Sequence, residues 1–385
     1  MAQDAGWGGG AYGGAPYGGS PYGGPPGWGG WVPPPKPGVI PLAPLKLGDV
    51  LNGAFSTMGR YWKQLFGMAG ALYGGAALVM AAAVAVAYSA VAHHMTELTS
   101  LGYGEDPTST DVVPLVIAGG VLVLLGIVVM SVVSGLMYAA VPAVLQEAVL
   151  GRPVAFGTVW RRAWARVTPV IGALVLTALI VIVPMVLILV AFIGVIISLV
   201  AMDDGGGSAG SVTAITLGVI GALATGPVAA WLWIKFCLAP AVVVFEGQRP
   251  LAALRRSAQL VRGDWWRIFG ITLLAGLMAS TAGYFIQMPF SVLGVFPGMI
   301  GTASLDDDPS AAAVIVAVSG YLVAALLGQL VGQIISTTFP QLVTGLLYVD
   351  RRIRTENLGP VLAEAAGAPA PPPPPPPHAG GVPQE

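Results

Sequence analysis

Six apolar segments, each long and almost free of charge, constrain this chain more than any motif does. They run approximately from Leu65 to Ala92, Val112 to Leu145, Pro169 to Met202, Val212 to Val244, Ile268 to Phe296 and Ala311 to Phe339. A hydrocarbon core about 30 Å thick takes roughly 20 helical residues to cross, and every segment reaches that length. With 9% charged and 55% hydrophobic residues, the chain cannot clothe such segments in polar surface, so lipid is the expected solvent. Alternation over about ten residues, the mark of a membrane barrel strand, is missing. The expected fold is all-α: a polytopic membrane protein with six transmembrane helices. Pro184 and Pro289 are the expected kink points, because proline removes a backbone bond that neighbouring groups must replace.

The charges set an expected orientation. The stretches after the first, third and fifth segments hold nine acidic residues, from Glu97 to Asp308, and no Lys or Arg. All 17 cations lie in the N-terminal region, at or after the even-numbered segments, or at the starts of the odd-numbered ones. Lys and Arg close to span ends mark the cytoplasmic side. The expected location is thus the plasma membrane, multi-pass, with both termini cytoplasmic. The N-terminus lacks a charged start followed by an apolar core, so the first span is the expected insertion signal.

The richest basic stretch runs from Pro240 to Gly270. Leu251, Leu254, Ala258 and Val261 recur there at helical spacing, with arginines largely on the other face. This predicts an amphipathic helix lying in the cytoplasmic interface of the membrane. The unit is echoed elsewhere. Trp62, Trp164 and Trp266 stand 102 residues apart, each at the entrance to an odd-numbered span, and Pro142, Pro240 and Pro340 stand 98 and 100 apart near the ends of the even ones. These spacings predict a threefold helical-hairpin repeat, each unit an amphipathic helix, a span, an outer loop and a second span.

Composition changes sharply at both ends. Residues 1–44 are rich in Gly, Pro and Tyr and carry few aliphatic side chains, so they read as a disordered tail ahead of a membrane domain at 45–359. Residues 360–385 read as a second disordered tail, proline-rich, with a polyproline II rod over Pro371 to Pro377.

Candidate binding residues follow from the interface. Arg255, Arg256, Arg262 and Arg267 are placed to meet anionic lipid headgroups, at about 1 kcal/mol per cation near the surface. Trp62, Trp164, Trp265 and Trp266 suit the interfacial aromatic belt. Among polar residues inside spans, Gln287, Gln329 and Gln333 read either as interhelical glue or as the wall of a polar path. Gly70-x-x-x-Gly74 and Gly328-x-x-x-Gly332 predict close helix contact. Glu246 and Asp264, beside arginines, read as ion-paired helix ends more readily than as lipid-cleaving acids. Cys237 is the single cysteine, so no disulfide forms within the chain. The histidines, His93, His94 and His378, do not make a metal site. No cofactor, metal or nucleic acid is expected; the expected partners are membrane lipids and an envelope protein.

Three stretches carry a family resemblance: Leu45-Lys46-Leu47-Gly48-Asp49-Val50-Leu51-Asn52-Gly53-Ala54-Phe55, the run from Ala253 to Arg267, and Leu346-Leu347-Tyr348-Val349-Asp350-Arg351-Arg352-Ile353-Arg354. Together they resemble the actinobacterial glycerophosphoryl diester phosphodiesterase membrane-domain family over about Leu45 to Gly359. The resemblance implies the membrane module alone. The family's catalytic domain is a soluble barrel with histidines and carboxylates around a divalent metal, and no position here carries that set. The expected function is a non-enzymatic, lipid-contacting or partner-binding role in the cell envelope. The alternative is a small-solute transporter or channel with a polar path including Gln287, Gln329 and Gln333.

Overall fold

A computed structural model describes residues 36–99, 108–203, 209–303 and 311–367. Most of both tails, with the expected disorder and the polyproline rod, lies outside the described residues, as do most of the acidic loop positions. The described chain is helical, without strands. Its helices are α1 (Leu47–Arg60), α2 (Trp62–Thr99), α3 (Ser109–Val149), α4 (Phe156–Asp203), α5 (Ala209–Phe236), α6 (Ala239–Glu246), α7 (Pro250–Val261), α8 (Trp265–Ala303), α9 (Ala311–Glu356) and α10 (Leu358–Ala365). Six stretches are long and apolar enough to cross a membrane: Trp62–Glu97, Val112–Val149, Phe156–Ser198, Ile215–Glu246, Trp265–Val292 and Val323–Glu356. The chain is a multi-pass membrane protein, as expected.

The breaks between helices have local causes. Tyr61 leaves helical geometry at φ −112°, separating α1 from α2. Between α5 and α6 the chain turns at Cys237 and Leu238, just before Pro240, which has no amide hydrogen to continue the ladder. Gly263, at φ +91°, turns the chain from α7 into α8 in a region closed to most side chains. No such breaker lies between Phe156 and Pro169. The amphipathic start of the middle unit therefore runs without interruption into its span as α4, and Trp164 lies two turns inside that helix, ahead of Pro169. Pro184 and Pro289 are likewise carried within continuous helix.

α2 packs on α3, α4 on α5 and α8 on α9, giving three helical hairpins. The last half of α3, the short α6 and the last half of α9 meet one another at the centre. Here lies the core: Leu136, Met137, Val144 and Leu145 of α3, Val242 and Val243 of α6, and Leu342, Leu346 and Leu347 of α9 are all buried. The other halves differ. Val116, Val123 and Leu124 of α3 and Leu179, Val183 and Val190 of α4 present bare apolar surface, which in a membrane protein is lipid contact.

Close contact between α8 and α9 is made by glycine. A Cβ on Gly328 would stand 2.7 Å from Cβ of Phe290, and one on Gly332 would stand 3.1 Å from the Gly283 carbonyl oxygen. The Gly70/Gly74 pair behaves otherwise than its spacing predicts: a Cβ on either would meet nothing within 4 Å. Spacing licenses an approach, but no described helix makes it. On the same α8–α9 face, Gln287 Nε2 donates to Gln329 Oε1 at 3.0 Å. Two of the three amides expected along a polar path are thus joined as glue. Gln287→Leu should cost about 0.6–2 kcal/mol in denaturation of the micelle-bound chain, the usual range for such bonds.

The domain edges move. Val39, Ile40, Leu42 and Leu45 are buried, and the Val39 amide donates to the Ala148 carbonyl at the end of α3, 3.2 Å away. Val39, Ile40 and Leu42, assigned to a tail by composition, are part of the core. At the other end, α10 carries ordered helix to Ala365, beyond the expected boundary at Gly359.

Candidate functional site

The basic end of the bundle holds nearly every described ion pair, and its charges close a ring through the three units. Glu147, at the end of the first unit, accepts from Arg162 in the second at 2.7 Å. Glu246, at the end of the second, accepts from Arg256 in the third at 3.2 Å. Asp350, at the end of the third, accepts from the backbone amide of Leu45, which leads into the first unit, at 2.7 Å. Each unit is thereby tied to the next, and the last to the first.

Asp350 is the most deeply buried member, with no exposed surface. Its carboxylate also takes hydrogen bonds from Arg267 at 2.6 Å and from Arg354 at 2.9 Å. Both arginines in turn donate to the Leu45 carbonyl, each at 2.7 Å. One peptide group and one carboxylate therefore occupy the two guanidinium groups. Arg351, next in sequence, is buried, pairs with Asp264, and donates to the Leu260 and Arg262 carbonyls at 2.7 and 3.1 Å. These carbonyls lie at the end of α7, where the helix has no amides of its own to offer, so Arg351 serves as its cap. The three stretches that carry the resemblance thus converge on one cluster.

A second cluster joins Glu246, Arg256, Tyr348, Arg352 and Glu356. Tyr348 donates its hydroxyl to Glu246 at 2.9 Å, Arg352 donates to Glu356 at 2.8 Å, and Arg256 pairs with Glu356. Burial disfavours the charge on Arg256, but the hydrogen bonds it donates to Glu356 and Glu246 outweigh it and hold its pKa above the ordinary guanidinium value. Glu246 and Asp264 are both ion-paired helix ends, the simpler of their two expected roles.

The four expected lipid-binding arginines therefore divide. Arg256 and Arg267 are committed to carboxylates within the protein, whereas Arg255 and Arg262 are exposed and make no ion pair with a described residue. Sequence spacing could not separate them, because Glu356 and Asp350, which take Arg256 and Arg267, lie 100 and 83 residues away. The buried face of α7 also differs slightly from its expected stripe. Ala253, Leu254, Ser257, Leu260 and Val261 point inward, while Leu251 is exposed. Ser257 is admitted because its hydroxyl donates to the Lys235 carbonyl at the end of α5, 2.9 Å away.

α7 is flanked by two open grooves. The first, of about 690 Å³, has Arg249 and Arg255 above an apolar floor that includes Leu176 and Leu251. The second, of about 510 Å³, holds Lys235, Arg262, Trp231 and Trp265. Lys235 Nζ sits 4.3 Å from the Trp231 ring centre, a cation–π contact. Trp265 stacks on Phe269 at 5.1 Å, and its buried Nε1–H has no acceptor among the described residues. Trp62, Trp164 and Trp266 are exposed at this end, with Trp266 bare over 77% of its surface. No cluster of His, Cys, Asp and Glu among the described residues has the form of a metal site.

A family model described as "Domain of unknown function (DUF7847)" matches residues 67–350. No curated protein and no solved structure matches the chain.

Proposed function

The chain belongs to this family of unknown function, and from that premise we propose that it is a non-enzymatic plasma-membrane protein that binds anionic lipid through α7. The observation that carries the reading is the pair of grooves beside α7, each combining free cations with an apolar floor or wall. A phosphate-bearing headgroup needs donors and positive charge, and its acyl chains need apolar surface beside them. Arg249 and Arg255 supply this on one side of the helix; Lys235 and Arg262 supply it on the other. In this reading the basic end faces the cytoplasm, where anionic headgroups attract such cations at about 1 kcal/mol each. The same reading takes the chain as a relative of the glycerophosphoryl diester phosphodiesterase membrane domains without their barrel.

The test is thermal unfolding of the detergent-purified chain during titration with phosphatidylglycerol or phosphatidylcholine. Phosphatidylglycerol should raise the midpoint and phosphatidylcholine should not, and added salt should shrink the difference. Arg255→Gln combined with Arg262→Gln should remove most of the rise while leaving the lipid-free midpoint unchanged. Equal rises with both lipids, or a rise intact in the double variant, would overturn the proposal.

A further inference from the structure

Where the three units meet, between α3, α4, α5, α8 and α9, lies a cavity of about 290 Å³. Its chemistry differs from that of the α7 grooves. No Asp, Glu, Lys, Arg or His lines it, yet polar side chains enter its wall from several helices. Gln341 is 4% exposed, and its Oε1 is buried without a hydrogen-bond partner. The Tyr138 hydroxyl, also on the wall, makes no hydrogen bond with a described residue.

The remaining hydroxyls are already spoken for as donors. Thr177 donates to the Ala173 carbonyl at 2.8 Å, Thr272 to Ile268 at 2.7 Å, Ser336 to Ala279 at 3.3 Å and Thr344 to Gln341 at 3.0 Å. Each has used its single proton on the backbone, so what these four can still offer a guest is lone pairs.

The repeat adds to this. Proline deprives the carbonyl four residues before it of its helical partner. For Pro142, Pro240 and Pro340 these carbonyls belong to Tyr138, Phe236 and Ser336, and all three residues line the cavity. The recurring prolines thus stand one turn after three residues that line the same central space. In a membrane protein, backbone groups freed by proline are answered by side chains, by ordered water or by whatever the cavity admits.

We propose that this cavity binds a small, neutral, hydroxyl-rich molecule, of the polyol class. The wall offers acceptors in Gln341 Oε1 and the hydroxyl lone pairs, and donors in the Tyr138 hydroxyl and the Trp233 indole N–H; a polyol hydroxyl both donates and accepts, so it can meet either. Neutrality follows from the uncharged wall, since an ion placed there would lose its hydration with no counter-charge to replace it. Size follows from the volume, which sits at the small end of ligand pockets, about 300–1,000 Å³. Gln287 and Gln329, bonded to each other on the α8–α9 face, are not part of the wall.

Equilibrium binding of radiolabelled erythritol to the intact chain in lipid nanodiscs tests this, with empty nanodiscs as blank and threonate as a charged analogue of similar size. The expected result is a single saturable erythritol site with threonate binding at blank level. Gln341→Leu should weaken erythritol by about tenfold or more, the loss expected for one buried hydrogen bond. If Gln341→Leu does not fold, Tyr138→Phe carries the same expectation. The Arg255→Gln, Arg262→Gln double variant should bind erythritol normally, which keeps this site separate from lipid binding at α7. Erythritol binding at blank level, meaning a cavity filled by water alone, would overturn the proposal. So would threonate binding as well as erythritol, or binding unchanged in the cavity variant.

Discussion

Asp350→Ala should destabilise the purified chain by about 3–5 kcal/mol, the cost of removing one partner from a buried ion pair. The carboxylate is wholly buried and takes hydrogen bonds from Arg267, Arg354 and the Leu45 amide. Without it, two guanidinium groups face each other across the Leu45 carbonyl, and the Leu45 amide is left without its acceptor. Asp350→Asn should fall between wild type and Asp350→Ala, because an amide oxygen still accepts but the charge is gone. Denaturation in mixed micelles, followed by tryptophan fluorescence, measures all three proteins. Equal stability of wild type and Asp350→Ala would show that the third link of the ring carries no load.

Ile40→Ala should cost about 2–5 kcal/mol, as expected for truncating a fully buried aliphatic side chain. Ile40 has no exposed surface, and its Cγ2 would lie 2.6 Å from a Cβ built on Gly53 of α1. Gly53 is therefore small for a reason, and the side chain that fills the space comes from a stretch with the composition of a tail. The same denaturation assay reads the effect. Substituting Val32, in the preceding low-complexity region, gives the comparison: Val32→Ala should leave stability unchanged. A cost below about 0.5 kcal/mol for Ile40→Ala, the range of a surface change, would return residues 39–44 to the tail.

These two residues show where the sequence is readable and where it is not. The six spans follow from length and hydropathy, and their pairing into hairpins agrees with the tryptophan and proline spacings. Local signals also served at Gly328 and Gly332, where small residues at four-residue spacing do allow close approach. Reading failed where the deciding partner lies far along the chain. Asp350 belongs to a motif singled out for resemblance, but its burial depends on Leu45 and Arg267, 305 and 83 residues away. The same holds for Arg267 and for the Glu356 partner of Arg256, against Arg255 and Arg262: all four arginines sit on or beside one helix, and only the fold decides which are free. The Gly70/Gly74 pair fails for the opposite reason, a permitted contact that no described helix takes up.

The strap at residues 39–45 was hidden by averaging. Val39, Ile40, Leu42 and Leu45 are a dense aliphatic run, but a long glycine- and proline-rich stretch before them dominates any window. The central cavity was hidden differently. Pro142, Pro240 and Pro340 were visible as a repeat, but that the residues one turn before them line one cavity depends on three hairpins meeting at one end.

Together these features describe a bundle tied shut by charge at its basic end, with α7 held across that end by Arg351 and by the Ser257 hydroxyl. Such anchoring positions Arg255 and Arg262 rigidly, so that a bound headgroup does not have to order the helix first. In the proposed function these two arginines hold anionic lipid. Native mass spectrometry of the chain extracted from its own membrane tests it most directly. Wild-type protein should retain anionic phospholipid through gentle removal of detergent, and the Arg255→Gln, Arg262→Gln variant should lose most of it while staying folded. Wild-type spectra carrying only zwitterionic lipid, or none, or a variant that retains the same anionic lipid as wild type, would contradict the account.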